Sequence, residues 1–237
     1  MAKTVGFLCP LKLEWLDRVV DLVIEGMETE NIREALNDYI SLELKSPDNI
    51  RKTRESLMKL WVYPFVDENV NIFRKQAIDA IKDGEKNRIA LHWCMLLICY
   101  PVFSDVAEMI GKIMNMQESF SLAWLKGKMA EHWGERATLL RSVEKVMQTM
   151  KQIGVLYSEK GIYTINQTKI EDDFTKKVII KTILALKIKA YYEPSELANI
   201  PQMFPFEYSI DSELIFGSQE FRLGNFGNSP VVVGENH

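Results

Sequence analysis

The sequence predicts a mainly α fold, with a helical bundle in front, a helix-helix-hairpin unit behind it and a short α/β part at the end. Three observations predict it. Apolar residues recur at three- and four-residue steps through the first hundred residues, with few Gly or Pro breaks. Between Ser119 and Asn166 two helical stretches, each followed by a glycine, give way to two β-rich runs around Gly161. Beyond Glu193 lie four of the eight prolines, and the helical period is lost. The expected divisions are residues 1–117, 118–170 and 171–237.

Element by element, the first helix buries Leu13, Leu16, Val20, Val23 and Met27 and wets Glu14, Asp17, Arg18, Asp21 and Glu25. A second runs from about Glu30 to Leu44, and the SPDN break at Ser46–Asn49 separates it from a third that ends before Pro64. The fourth, from Asp67 to about Lys82, sets Val70, Phe73, Ala77 and Ile81 on one side. The apolar run Ile89–Phe103 is shorter than the ~20 residues of a membrane span and contains His92 and Pro101, so it reads as a buried helix closed by Pro101. Asp105 and Glu108 have the spacing of a capping pair for the next helix.

The following helix, Ser121–Trp133, buries Leu122, Leu125, Met129, Ala130 and Trp133 and stops at Gly134; the next buries Leu139, Val143, Val146, Met150 and Ile153 and stops at Gly154. The runs VLYS and IYTIN, joined by EKG, read as a hairpin. That order is a winged helix-turn-helix, in which the second helix enters the DNA major groove and the hairpin wing grips the backbone. A lysine-rich helix is expected from Glu171 to about Tyr192, then one short helix and irregular strands or a hairpin near GNFGNSP.

With 237 residues, 47% hydrophobic and 26% charged, the chain buries a real core, and its net charge of −4 excludes a uniformly basic nucleic-acid coat. Charge is uneven: from Glu193 onward seven acids, Glu235 among them, face one base, leaving a net +2 for the first 192 residues. Three cysteines, Cys9, Cys94 and Cys99, argue against a disulfide framework, and no signal peptide is read before Pro10, so a reducing cytoplasm is expected.

The expected exposed stripe of the recognition helix is Arg141, Ser142, Lys145, Gln148 and Gln152, types that suit base edges and phosphate oxygens. Arg136 and Thr138 precede it at the helix N-terminus, and Lys126, Lys128 and Lys160 add charge from the helix before and the wing. Between Lys126 and Lys160 seven bases outnumber four acids. The plainer reading is a solvated face or a protein-binding winged helix. A second basic cluster, Lys45, Arg51, Lys52, Arg54 and Lys59, is more often a wet helix face than a ligand site.

No cofactor or metal is expected: His92, His132 and His237 lack ligand spacing, His92 and Cys94 read as core, and no phosphate loop, zinc-protease or nucleophile-elbow motif occurs. Glu171, Asp172 and Asp173 read as a helix start rather than as nuclease ligands.

The stretches NIRKTRESLMKLW (Asn49–Trp61), YPVFSDV (Tyr100–Val106) and RSVEKVMQTMKQIGVL (Arg141–Leu156) give the chain a resemblance to the BrxA-like proteins of BREX bacteriophage-resistance systems, accessory proteins encoded beside a methyltransferase and large ATPases. The resemblance implies a mostly helical, winged-helix protein that associates with double-stranded DNA without catalytic activity, with Arg141 and Lys145, and Arg51, Lys52 and Arg54, facing DNA. The alternative is a scaffold that holds components of a defence complex through its winged helix, its acidic tail, or aromatics such as Trp124 and Phe204–Phe206.

Overall fold

A computed structural model describes residues 6–84, 87–227 and 229–233; Glu235 and His237 lie outside them. The first helix, α1 (Leu13–Ile24), buries Trp15, Leu16, Val19, Val20 and Leu22. Its expected wet face is partly engaged, because Asp17 pairs with the buried His92 at 3.0 Å and Arg88 reaches both Asp17 and Asp21. Helix α2 (Thr29–Ser41) follows, and the SPDN break proves to be the start of α3 (Pro47–Trp61): Ser46 Oγ accepts the Asn49 N–H, and Pro47 occupies the first turn. Asp67 caps α4 (Glu68–Lys82) in the same way.

Nine of the twelve residues of α5 (Arg88–Cys99) are buried, so this helix runs through the core rather than along its surface. Pro101 does more than close it. It is the first residue of α6 (Pro101–Met114), which leaves α5 at 116°, so the expected capping pair lies inside a helix already under way. Glu108 pairs with Lys112, and Asp105 accepts the Trp133 indole N–H at 2.7 Å.

The helix-helix-hairpin unit opens with a two-residue strand, β1 (Phe120–Ser121), that sequence periodicity is too short to show. Ser121 caps α7 (Leu122–Trp133), in which only Leu125 and Met129 of the expected stripe are fully buried. Gly134 turns the chain at φ 81° into α8 (Ala137–Gln152), whose Leu139, Val143, Val146 and Met150 are all inside, followed by Ile153. Strands β2 (Leu156–Glu159) and β3 (Ile162–Ile165) pair antiparallel, with Glu159 opposite Ile162. Both residues of the connecting turn, Lys160 and Gly161, have positive φ, as a tight hairpin matching strand twist requires. The third strand, β1, pairs with β3 and stacks Phe120 on Tyr163.

After β4 (Thr168–Lys169), Asp172 caps α9 (Asp173–Ala185), accepting the Thr175 N–H at 2.6 Å. The lysine-rich helix ends seven residues before the expected Tyr192: Lys187 adopts φ 53°, and Tyr191–Tyr192 form β5. The tail contains α10 (Pro194–Leu197), a 3-10 turn (Pro201–Met203), β6 (Phe206–Glu207), α11 (Ser212–Phe216) and the hairpin β7 (Leu223–Phe226) with β8 (Ser229–Val233). Strand β6 adds parallel to β4, while β8 pairs antiparallel with both β5 and β7.

One cluster of buried side chains runs through all three expected divisions. The tail is locked to the bundle at α6, where Gly111 meets the Pro201 backbone so closely that a Cβ there would lie 2.0 Å from its carbonyl oxygen. Beside it, the buried Trp93 indole donates to the Gln202 carbonyl at 2.9 Å and packs edge-on against Phe204 and Phe206. Those two phenylalanines are therefore core residues, not surface anchors.

Candidate nucleic-acid interface

Helix α8 has two covered sides and one open one. Its apolar stripe faces the core. A second side is covered by the segment Phe7–Leu11, because Ser142 Oγ donates to the Phe7 carbonyl at 2.9 Å and the Leu11 N–H donates to Thr149 Oγ1 at 2.9 Å. Ser142 is 5% exposed, which corrects its expected place on the open stripe. Gln152, also expected there, is half-buried with its Oε1 unpartnered among the described residues.

What remains open is the line Thr138, Arg141, Glu144, Gln148 and Lys151. The spacings of three and four keep these residues on one face. Among the described residues, the side chains of Thr138, Arg141 and Gln148 make no hydrogen bond or ion pair, and neither does Lys160 at the tip of the hairpin. Lys151 donates to Ser158 Oγ of β2 at 2.9 Å, which ties the end of α8 to the hairpin. Arg136, at the start of α8, keeps one guanidinium N–H on the Trp133 carbonyl.

The cations of α7 are less free. Lys126 bonds Glu144 at 2.5 Å, and that hydrogen bond holds the Glu144 carboxyl below its ordinary pKa; Lys128 pairs with Glu131. An acid thus sits in the middle of the open stripe, neutralised from the neighbouring helix.

The amino-terminal basic cluster divides. Arg51 and Lys52 both hold Asp48, whose pKa is lowered chiefly by the Lys52 hydrogen bond and then by Arg51. Lys45 donates to the last carbonyls of α2, and Lys59 to the Cys99 carbonyl. Arg54 departs from its expected DNA-facing role: its side chain is 14% exposed and is consumed by Glu55 at 2.7 Å and Asn37 at 2.9 Å.

Sequence distance hides one juxtaposition. The thiol of Cys9, buried beside Ser56, has its pKa pushed up by burial and pulled partly back by hydrogen bonds and by the charges of both Lys145 and Lys52. The Phe7–Leu11 segment thus bridges α3 and α8, the helices that carry Lys52 and Lys145, and Lys145 is half-buried at that seam.

All three cysteines are free and buried, and burial raises the Cys94 thiol to about 12. No group of three metal-ligating side chains occurs among the described residues, and none of their helices alone is long and apolar enough to cross a membrane. No protein-family model, curated protein or solved structure matches the chain.

Proposed function

We propose that the chain is a non-enzymatic, cytoplasmic DNA-binding protein whose α7, α8 and β1–β3 form a winged helix-turn-helix docking on double-stranded DNA. The observation that carries this reading is the open stripe of α8 together with the hairpin tip. Arg141 and Gln148 supply the fork and amide that base edges accept, Lys160 supplies a wing cation, and none of the three is spent on a partner within the described residues. The strand order β1-β3-β2 beside the helix pair supports the same reading. Lys145 and Lys52 extend the positive region across the Cys9 seam.

The residues that carry the BrxA-like resemblance fall on α3, the α5–α6 corner and α8, and on that resemblance we assign the protein to bacteriophage defence as an accessory factor. The test is retention of a labelled duplex by the full chain over a salt series, beside Arg141→Glu/Lys160→Glu. Both substitutions fall on exposed residues, so the fold survives; salt-sensitive binding lost in the variant supports the reading, and unchanged binding by the folded variant refutes it.

A scaffold reading has one observation of its own. Tyr191 and Phe226 stack at 4.6 Å on the outside of the C-terminal sheet, with Phe226 60% exposed, which is an aromatic pair suited to anchoring a protein partner. Partner recovery lost on Phe226→Ser, with DNA retention intact, would favour it.

A further inference from the structure

A cavity of about 310 Å³ opens among α1, α2, the end of α3 and α4. It sits at the small end of the ~300–1,000 Å³ typical of ligand pockets. Val23, Met27, Trp61 and Ile78 give it apolar walls, while Arg74 and Lys75 of α4 give it charge. No carboxylate is among the described residues that line it, although acids outnumber bases in the chain, 33 to 29.

Arg74 is the unusual member. Its guanidinium donates to the Tyr63 carbonyl at 2.6 Å and weakly to Asn71 Oδ1 at 3.4 Å, and lies 5.0 Å from the Phe65 ring centroid; every one of these partners is neutral. The other half-buried arginines of the bundle are treated differently, because Arg33 has Glu55 at 2.8 Å, Arg54 has Glu55 at 2.7 Å and Arg88 has Asp21 at 3.1 Å. Burial lowers the pKa of Arg74, the mark of a charge that has lost water without gaining an anion.

We propose that this cavity binds a small apolar carboxylate, with the acid at Arg74 and Lys75 and the hydrocarbon body against Val23, Met27, Trp61 and Ile78. A neutral hydrocarbon would leave the guanidinium uncompensated, and a bare inorganic anion would make no use of the apolar walls. The two halves of the lining call for the two halves of one amphiphile.

The test is calorimetric titration of the full chain with octanoate and 3-phenylpropanoate, with octanol and inorganic phosphate as controls. Saturable binding of either acid, at least ten times tighter than octanol or phosphate, is expected. Arg74→Gln should weaken it tenfold or more. Lys75→Glu, an exposed change that spares the fold should Arg74→Gln disturb it, should weaken it several-fold, while Arg141→Glu should leave it unchanged. Equal affinity for octanol and octanoate, unaltered binding in Lys75→Glu, or no binding of either acid would each overturn the proposal.

Discussion

Replacing Gly111 by alanine isolates the contact that fastens the tail to the bundle. The new Cβ would lie 2.0 Å from the Pro201 oxygen, 2.6 Å from its carbonyl carbon and 2.8 Å from its Cα, all backbone atoms that cannot rotate aside. Reaching an ordinary 3.4 Å contact requires the 3-10 turn to retreat by about 1.4 Å. Alanine favours a helix interior by ~1 kcal/mol over glycine. Against that stand ~1–3 kcal/mol for overpacking and ~1–3 kcal/mol for the buried Trp93 N–H as the Gln202 carbonyl withdraws with the turn. The net is a loss of about 3 kcal/mol, which at roughly 2–4 °C per kcal/mol for a chain of this size lowers Tm by about 6–12 °C. Thermal unfolding followed by circular dichroism reads this directly. A Tm equal to or above that of the parent would mean that helix propensity wins and that the turn does not press on α6.

Three further expectations concern the interface and the tail. If Lys52, Lys145 and Lys160 each meet a phosphate, the logarithm of affinity falls with a slope of about −2.7 against log salt, a loss of roughly 40-fold between 50 and 200 mM, and Lys160→Glu alone flattens that slope by about 0.9. Filter binding at four salt concentrations measures both. Ser142→Ala orphans the Phe7 carbonyl and should cost roughly 1–2 kcal/mol in denaturant unfolding while leaving DNA affinity unchanged; lost affinity at unchanged stability would return Ser142 to the DNA face. Hydrogen bonds from Lys177 and then Lys181 hold the Glu220 carboxyl at about 2, below its ordinary 4.5. A depressed carboxylate stabilises the fold above the ordinary value and loses that contribution as pH falls from 4.5 toward 2. The Tm of Glu220→Gln should therefore decline less than that of the parent across that window, and parallel declines would remove Glu220 from the tail's attachment.

Much of the architecture is legible in the sequence because it rests on local periodicity. The stripes of α4 and α8 and the Lys160–Gly161 hairpin follow from spacing and turn chemistry alone. What spacing does not show has both local and long-range causes. The early end of α9 rests on Lys187 taking a left-handed conformation without a glycine to announce it. Strand β1 has two residues, too few for any alternation to show. In the candidate site, Arg141, Gln148 and Lys160 are where spacing puts them, but Ser142 is claimed by a segment 135 residues earlier in the chain and Arg54 by Asn37 on the preceding helix. Polar residue type cannot distinguish a serine that faces water from one that holds a distant backbone carbonyl.

The Phe7–Leu11 segment has a history as well as a place. Its partners on α8 leave the ribosome only after 135 more residues have been added beyond Phe7. At about 5–20 residues per second that is a wait of roughly 7–27 s. Throughout it Phe7, Cys9 and Leu11, all buried once folded, have no α8 to rest on. The seam that joins Lys52 to Lys145 therefore closes only after more than half of the chain has been made, and before the Pro201 turn can reach α6. A nascent chain arrested before Thr149 could rest Phe7 on Tyr100 and Phe103 but would leave the Leu11 N–H without its partner on α8.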